Sequence, residues 1–491
     1  MLEARGGTAA RVSRLVSTYF DTADHDLKSR GMVLRIREAD GGFIQTVKSG
    51  RAQASDTDAA FARGEWEDAV AGNGPDATAP NSGRYIDAAL VGRLIPVFRT
   101  EVERRKVDLA AESDTQIEAA IDRGFIHSIV RDAKEPISEV ELELKSGSAN
   151  LLYDVALDLL AEAPLRLSLV SKGERGYLLA ANETTPIEAV HSPELTIDPT
   201  ISGNEALRRI GIACLMQMAQ NEPAVLAGLG EGIHQMRVAV RRLRAILSAF
   251  GKYLPAEARR AVSGELRWLA DAMGAARNLD AFETSLLPPA QKALGDEAGL
   301  EALTAAAGAD RREAFAKSGR AVRSTRFTRL LLQQFRWFEA CEWREQGASP
   351  ELEQPIADLA ATVLDRRRRA AKRCSRNLAD QSPADRHKLR IALKKLRYST
   401  ELLAALYADA DVDRFTKRLK RLQSHLGDAN DIRVAHEIVH ELAARRRNPE
   451  LVTIGEAMLD WHEQRIADLE PRLHKEVERL LAVSRFWSVQ S

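Results

Sequence analysis

In the segment "ISEVELELK", Glu139, Glu141 and Glu143 recur at every second residue, with Val140, Leu142 and Leu144 between them. A strand sends alternate side chains to opposite faces, so the three carboxylates share one face. They repel one another there unless the face is a solvated edge or cations sit among them. Cations are present in other segments: Arg35 with Arg37 in "MVLRIRE", Lys48 in "FIQTVKSG", and Arg104 with Lys106 in "VFRTEVERRKVDLA". "RGEWE" adds Arg63, Glu65 and Glu67 on one face, and "IEAAIDRG" adds Glu118 and Asp122. A sheet curled into a tunnel would gather both sets inward. The cations would then hold phosphate oxygens, and the carboxylates would hold Mg²⁺ or Mn²⁺ through hard oxygen ligands. Metal-assisted phosphoanhydride hydrolysis needs that layout. There is no Walker sequence and no Gly-rich cradle, which argues against a P-loop NTPase.

A second constellation is purely basic. "HQMRVAVRRLR" begins at His234 and "HKLRIALKKLR" at His387, 153 residues later, and both read H-x-x-R-x-x-x-basic-basic-L-R. "LRWLADAMGAARNLD" from Leu266 and "LKRLQSHLGDANDIR" from Leu419 keep the same offset, which indicates a duplicated unit. At about 100° per residue, His234, Arg237, Arg241 and Arg244 form one narrow helical stripe. Met236, Ala239, Leu243, Ile246, Leu247 and Phe250 form the apolar face opposite it. In the second copy His387, Arg390, Lys394 and Arg397 form the stripe, and Leu389, Ala392, Leu396 and Leu403 the apolar face. A solvated helix face is the ordinary reading of one such stripe. However, like charges without an interposed acid cost roughly a few tenths of a kcal/mol per i,i+4 pair, and the arrangement occurs twice. More basic residues lie nearby in sequence, including the run 366–369 and Lys372, Arg373, Lys417, Arg418, Lys420 and Arg421. A regularly charged polyanion would turn this repulsion into affinity by releasing counterions. The stripes have few of the aromatic and amide groups that nucleic-acid bases require, so a phosphate chain without bases fits better.

These repeated phrases in an all-helical region resemble the CHAD domain, over residues 203–491. The resemblance implies two four-helix bundles with a basic central surface that binds inorganic polyphosphate. The residues matching its motif are His234, Arg237, Arg241, Arg244, His387, Arg390, Lys394 and Arg397.

The elements that must position these groups fall into two halves of opposite charge. Residues 1–199 hold 23 basic and 33 acidic residues, and residues 200–491 hold 48 and 38, within a 491-residue chain that is neutral overall. Residues 15–145 read as strands separated by turns, with "DGG" at 40–42 closing a hairpin and a Gly/Ala/Pro/Asn-rich loop at 70–85. A helix is expected through "NLLYDVALDLLAEA". The segment 185–202 has three prolines and no helical period and reads as a linker, and from 203 onward the pattern is helical. The fold class expected is α+β in two domains: a β-tunnel domain at 1–184 and an all-α domain at 203–491. Three cysteines without metal-ligand spacing suit a reducing compartment. No stretch approaches 18 uninterrupted apolar residues, and the protein is read as cytoplasmic with no membrane partner.

The N-terminal segments also resemble a family. "STYFDTADHDLKSRGMVLRIREADGGFIQTVKSG", "PVFRTEVERRKVDL", "IEAAIDRGFI", "ISEVELELKSG" and "SKGERGYLLA" are similar, in order and spacing, to the CYTH domain of triphosphate tunnel enzymes. The resemblance implies that Arg35, Arg37, Lys48, Arg104 and Lys172 contact triphosphate. It implies that Glu139 and Glu141, together with Glu65, Glu67 and Asp122, lie on the metal side. One family feature has no counterpart. Members open with an E-x-E-x-K strand, but here Tyr19 follows only 18 residues and Glu3 stands alone. Either the recorded start lies downstream of the natural one, or the tunnel has lost part of its wall. The leading expectation is a metal-dependent inorganic triphosphatase whose helical half grips polyphosphate. A non-catalytic polyphosphate-binding protein is the alternative, and a nucleic-acid or protein-binding helical module ranks third.

Overall fold

The computed structural model describes residues 7–39, 41–51, 61, 63–111, 114–184, 186–295, 299–376, 381–407, 409–467, 470–483 and 485–487. Glu3 and the side chain of Arg63 lie outside this description. The chain divides into two units, Met1–Ile187 and Glu188–Ser491.

In the first unit the alternating segments become strands of one antiparallel sheet. They are β1 (Arg11–Asp21), β2 (Met32–Ala39), β3 (Gly42–Arg51), β4 (Arg63–Val70), β5 (Ile95–Ala111), β6 (Thr115–Ser128) and β7 (Lys134–Ser146). The sheet order is β4-β3-β2-β1-β5-β6-β7. Among the described residues β4 and β7 are its edges.

Each face has its own cover. On the outer side, Leu27 of α1 (Asp26–Ser29) and Leu90 of α2 (Ala88–Val91) pack with Leu34, Ile36 and Val47. Val155 of α3 (Ala149–Glu162) packs on Val107, Leu109, Ile117 and Ala119. The fourth helix, α4 (Lys172–Ala181), lies over the opposite face, where Tyr177 and Ala180 bury against Tyr19, Phe98, Val102, Ile126 and Ile137. The loop at 70–85 is pinned by two buried groups. Asp68 accepts from the Ser82 backbone at 2.6 Å, and Gln45 donates to Ser82 Oγ at 2.9 Å.

The second unit is helical: α5 (Gly203–Leu226), α6 (Gly230–Ala249), α7 (Ala256–Ala272), α8 (Gly274–Ala281), α9 (Leu287–Leu294), α10 (Leu300–Arg323), α11 (Thr325–Glu339), α12 (Ile356–Cys374), α13 (Pro383–Leu403), α14 (Asp409–Arg446), α15 (Glu450–Ala467) and α16 (Glu470–Ala482). The duplication is visible in the starts of the helices. α5 and α12, α6 and α13, and α7 and α14 each begin 153 residues apart. The copies then diverge: α7 breaks at Met273, whereas α14 runs on for 38 residues. The copies also share an apolar cluster, in which Phe282, Leu303 and Ala307 pack with Ala435, Val439, Met458 and Leu459. No helix among the described residues is long and apolar enough to cross a membrane.

Candidate functional site

Strand register puts Arg35, Arg37, Lys48, Glu65, Glu67, Arg104, Asp122, Glu139 and Glu141 on one face of the sheet. Arg104 stands opposite Asp122, and Asp122 opposite Glu139. Arg35 stands opposite Thr46, Lys48 opposite Glu65, and Thr46 opposite Glu67. Both parities of "RTEVERRK" carry charge, and the register settles which charges face Asp122. Arg104 donates to both Asp122 oxygens, at 2.8 and 2.6 Å, and to Glu141 at 2.5 Å.

The helix α4 completes the face. Ser171 and Glu174 form a capping box that fixes its first turn, where Lys172 sits. A β-carbon at Gly176 would fall 2.1 Å from the Phe98 ring, so glycine lets α4 lie close against β5. The Lys172 ammonium therefore reaches Asp122 and Glu141, each at 2.7 Å, and also contacts Glu139. Arg175 holds Glu135 at 2.7 Å and Glu139 at 3.2 Å.

Asp122, Glu139 and Glu141 offer oxygens within 4.8 Å of one another, and Asp122 is fully buried. Three hard oxygen donors at this spacing fit Mg²⁺ or Mn²⁺. The Lys172 ammonium, placed among all three, shows that the trio accommodates a cation. Burial raises the Glu141 carboxyl, but Lys172, Arg104 and Lys48 outweigh it and hold the group at about 2. Lys48 acts on Glu141 although four strands lie between β3 and β7 in the sheet order.

Glu65 and Glu67 do not join the trio. Lys48 pairs with Glu65 at 2.8 Å, and Arg35 contacts Glu65 and Glu67 at 3.3 and 3.4 Å. Burial raises the Glu67 carboxyl, and the Thr46 hydroxyl with Arg35 and Arg37 lowers it further than burial lifts it.

Arg37 is different. Among the described residues it has no carboxylate within ion-pair distance, and its Nε donates only to Ser17 Oγ at 3.4 Å. Burial, then the charges of Arg35 and Arg104, push its guanidinium down to about 10. Arg37 is thus a half-buried cation that feels the charges of Arg35 and Arg104, and among the described residues it has no ion pair of its own.

In the second unit the apolar face expected for α6 is buried throughout, from Met236 to Phe250, and so is that of α13. The two stripes converge. Arg241 of α6 lies 5.2 Å from the ring centre of Tyr398 on α13, and Arg397 lies 5.7 Å from the same ring. Burial pushes Lys394 down to about 8, helped by Arg390 and by Arg241 from the other copy. Burial also lowers His234 and Arg237, with Arg241 and Arg277 adding to it. Arg241 Nε is buried without a hydrogen-bond partner. Arg244 and His387 are exposed, Arg390 is half-buried and senses Asp431 and Arg433, and Arg397 pairs with Glu401 at 2.8 Å.

Sequence reasoning missed Arg175, Arg277, Tyr398 and Arg433. Arg175 lies three residues after Lys172. Arg277 and Arg433 lie inside the second pair of shared phrases, whose repetition is the signal that marks them. The run 366–369 has another role. Arg366 and Arg367 bond to Ala249 and Ser248 at the end of α6, and Arg368 donates to the carbonyls of Leu481 in the last turn of α16 and of Val483 just after it. These arginines close helix C-termini, where cations are favoured.

Comparison with known proteins matches both halves. A sequence model of the CYTH domain covers residues 2–177 and one of the CHAD domain residues 209–440. An inorganic triphosphatase of Haemophilus influenzae is 33% identical over 34% of this chain. That match covers 47% of the relative, so the chain spans about half its length. An uncharacterized protein of Mycobacterium tuberculosis is 24% identical over 95% of this chain and 89% of its own. The crystal structure of the CHAD domain from the plant Ricinus communis is 27% identical, with a TM-score of 0.53, over 61% of this chain and 98% of that one. The chain belongs to the two-domain CYTH–CHAD proteins, with an N-terminal antiparallel CYTH sheet followed by a helical CHAD domain.

Proposed function

We propose that this protein is a metal-dependent inorganic triphosphatase, acting on tripolyphosphate, whose helical domain binds inorganic polyphosphate. The observation that carries the reading is Arg37, a cation with no carboxylate in ion-pair distance among the described residues, on the same side of the sheet as the Asp122, Glu139 and Glu141 trio. Arg35, Arg37 and Arg104 would hold phosphate oxygens, and Lys48 and Lys172 would add charge at either side. Asp122, Glu139 and Glu141 would hold Mg²⁺ or Mn²⁺. Bound there, the ion would neutralise phosphate charge and help orient water. Lys172 contacts all three carboxylates in the structure, so with an ion held there its ammonium would be available to pair with substrate phosphate.

In the helical domain, Arg237, Arg241, Arg390 and Lys394 form one surface on which a phosphate chain supplies the missing anions. Its affinity should fall steeply with salt. One observation favours the second reading, a binding protein without turnover: Lys172 and Arg104 already compensate the carboxylates that catalysis needs. Phosphate release from tripolyphosphate by the full chain, with Mg²⁺, with Mn²⁺ and with chelator, separates the two. Metal-dependent release that Glu141→Gln abolishes supports the hydrolase. No release with either metal overturns it and leaves the binding protein.

A further inference from the structure

The two copies of the basic stripe are equivalent in position but not in charge. Residues of the second copy stand 153 places after those of the first, so their surroundings can be compared one by one. Arg277 on α8 has Asn430 on α14 as its counterpart, Asn278 has Asp431, and Ser248 on α6 has Glu401 on α13. Each of these differences makes the first copy more positive or the second more negative. Asp280 and Arg433 differ in the opposite sense, but both are compensated. Arg311 holds Asp280 at 2.6 Å, and Glu437 pairs with Arg433.

We propose that the first copy is the anchoring half of the polyphosphate surface, with Arg277 as an added phosphate contact beside His234 and Arg237, and that the second copy holds the chain more weakly. This rests on the polyphosphate reading above and goes beyond it, because a duplicated motif by itself implies two equal halves.

Packing places Arg277 beside the first stripe. Arg237 Nη1 donates to the Ala270 carbonyl at 2.7 Å, which sets the middle of the stripe against the end of α7. A β-carbon at Gly230 would fall 2.8 Å from Asp280 Oδ1, so the start of α6 lies close on α8, and Asp280 is one turn from Arg277. Arg277 is half-buried, and among the described residues it has no ion pair. His234, Arg237, Arg241 and Arg244 have none there either. Glu231 and Asp271 are the acids whose charges reach His234 and Arg237. Glu231 is itself held by Gln235 at 2.7 Å.

The second stripe is partly neutralised. Arg397 is paired with Glu401 at 2.8 Å, whereas its counterpart Arg244 is exposed, with Ser248 one turn on. The charge of Asp431 acts on both Arg390 and Lys394. Lys394 also stands where the first copy has Arg241, so a point charge replaces a guanidinium fork that can grip phosphate with two bonds. A phosphate chain on this half competes with fixed carboxylates and releases fewer counterions.

The test is titration of the full chain with long-chain polyphosphate at fixed low salt. Arg277→Asn gives the first copy the residue of the second and should weaken binding roughly tenfold. Asn278→Asp should weaken it about threefold, and the reverse change, Asp431→Asn, should tighten it by a similar factor. Glu401→Gln should also tighten it, by freeing Arg397. All four positions are half-buried or exposed, so the helical circular dichroism should not change. An Arg277→Asn variant that binds like the parent, or an Asp431→Asn variant that binds no tighter, overturns the proposal while leaving polyphosphate binding in place. A parent that binds no polyphosphate overturns the polyphosphate reading and this proposal with it.

Discussion

Lys172 Nζ lies 2.7 Å from Oδ2 of Asp122, a carboxylate with no solvent exposure. The two residues come from a helix and a strand 50 positions apart, and they meet because Gly176 lets α4 lie against Phe98. This ammonium stands where a divalent ion would compete for the same oxygens. Its own acidity is suppressed: burial lowers its pKa, but Glu141, Asp122 and Glu139 together raise it.

Lys172→Met should therefore separate metal binding from turnover. Without the ammonium, Mg²⁺ should bind the empty-handed trio more tightly in the absence of substrate. Hydrolysis of tripolyphosphate should fall at least tenfold, because a phosphate contact is lost. Calorimetric titration with Mg²⁺ beside a phosphate-release assay checks both. Weaker Mg²⁺ binding in the variant would show that Lys172 organises the carboxylates and does not compete for them.

The Glu141 carboxyl sits at about 2, below its ordinary 4.5. Between these values the unfolded chain binds more protons than the folded one, so stability rises with pH there. The contribution is complete above about 4.5 and is lost as pH falls toward 2. Thermal midpoints of the parent should drop across that window, and those of Glu141→Gln should drop less. Parallel curves for the two proteins would count against this account of the site.

Lys394, at about 8, should make polyphosphate binding unusually sensitive to mild alkali. At pH 8 the free protein carries this group partly neutral, and a bound polyanion raises its pKa, so binding takes up protons. Titrations in buffers of different ionisation enthalpy should reveal that uptake, and Lys394→Arg should abolish it. Arg241→Gln removes a charge that depresses Lys394, so the pH dependence should move to higher pH. If that variant shifts nothing, the two stripes are electrostatically independent.

Gly176→Val should damage the tunnel without touching a charged group. Its side chain would meet the Phe98 ring, and overpacking of this kind costs about 1–3 kcal/mol. Displacing α4 moves Lys172 and Arg175 away from the carboxylates. Loss of turnover together with a lower melting temperature is expected, whereas full activity would mean that α4 does not set the position of Lys172.

What the sequence determined by itself is local and periodic. The two-residue alternation in "ISEVELELK" and the helical period in "HQMRVAVRRLR" follow from backbone geometry within a few residues, and the 153-residue offset returned in the starts of three helix pairs. Opposite charge in the two halves of the chain was equally plain. The tertiary structure decided which charges meet. Asp122 became the buried centre of the trio through the β5–β6–β7 register, and Glu65 and Glu67 were left to Arg35 and Lys48. Arg241 and Lys394 became neighbours because α6 and α13 pack together. No sequence window holds both members of such a pair. Their encounter depends on long-range packing of apolar faces, which carries the charged residues with it.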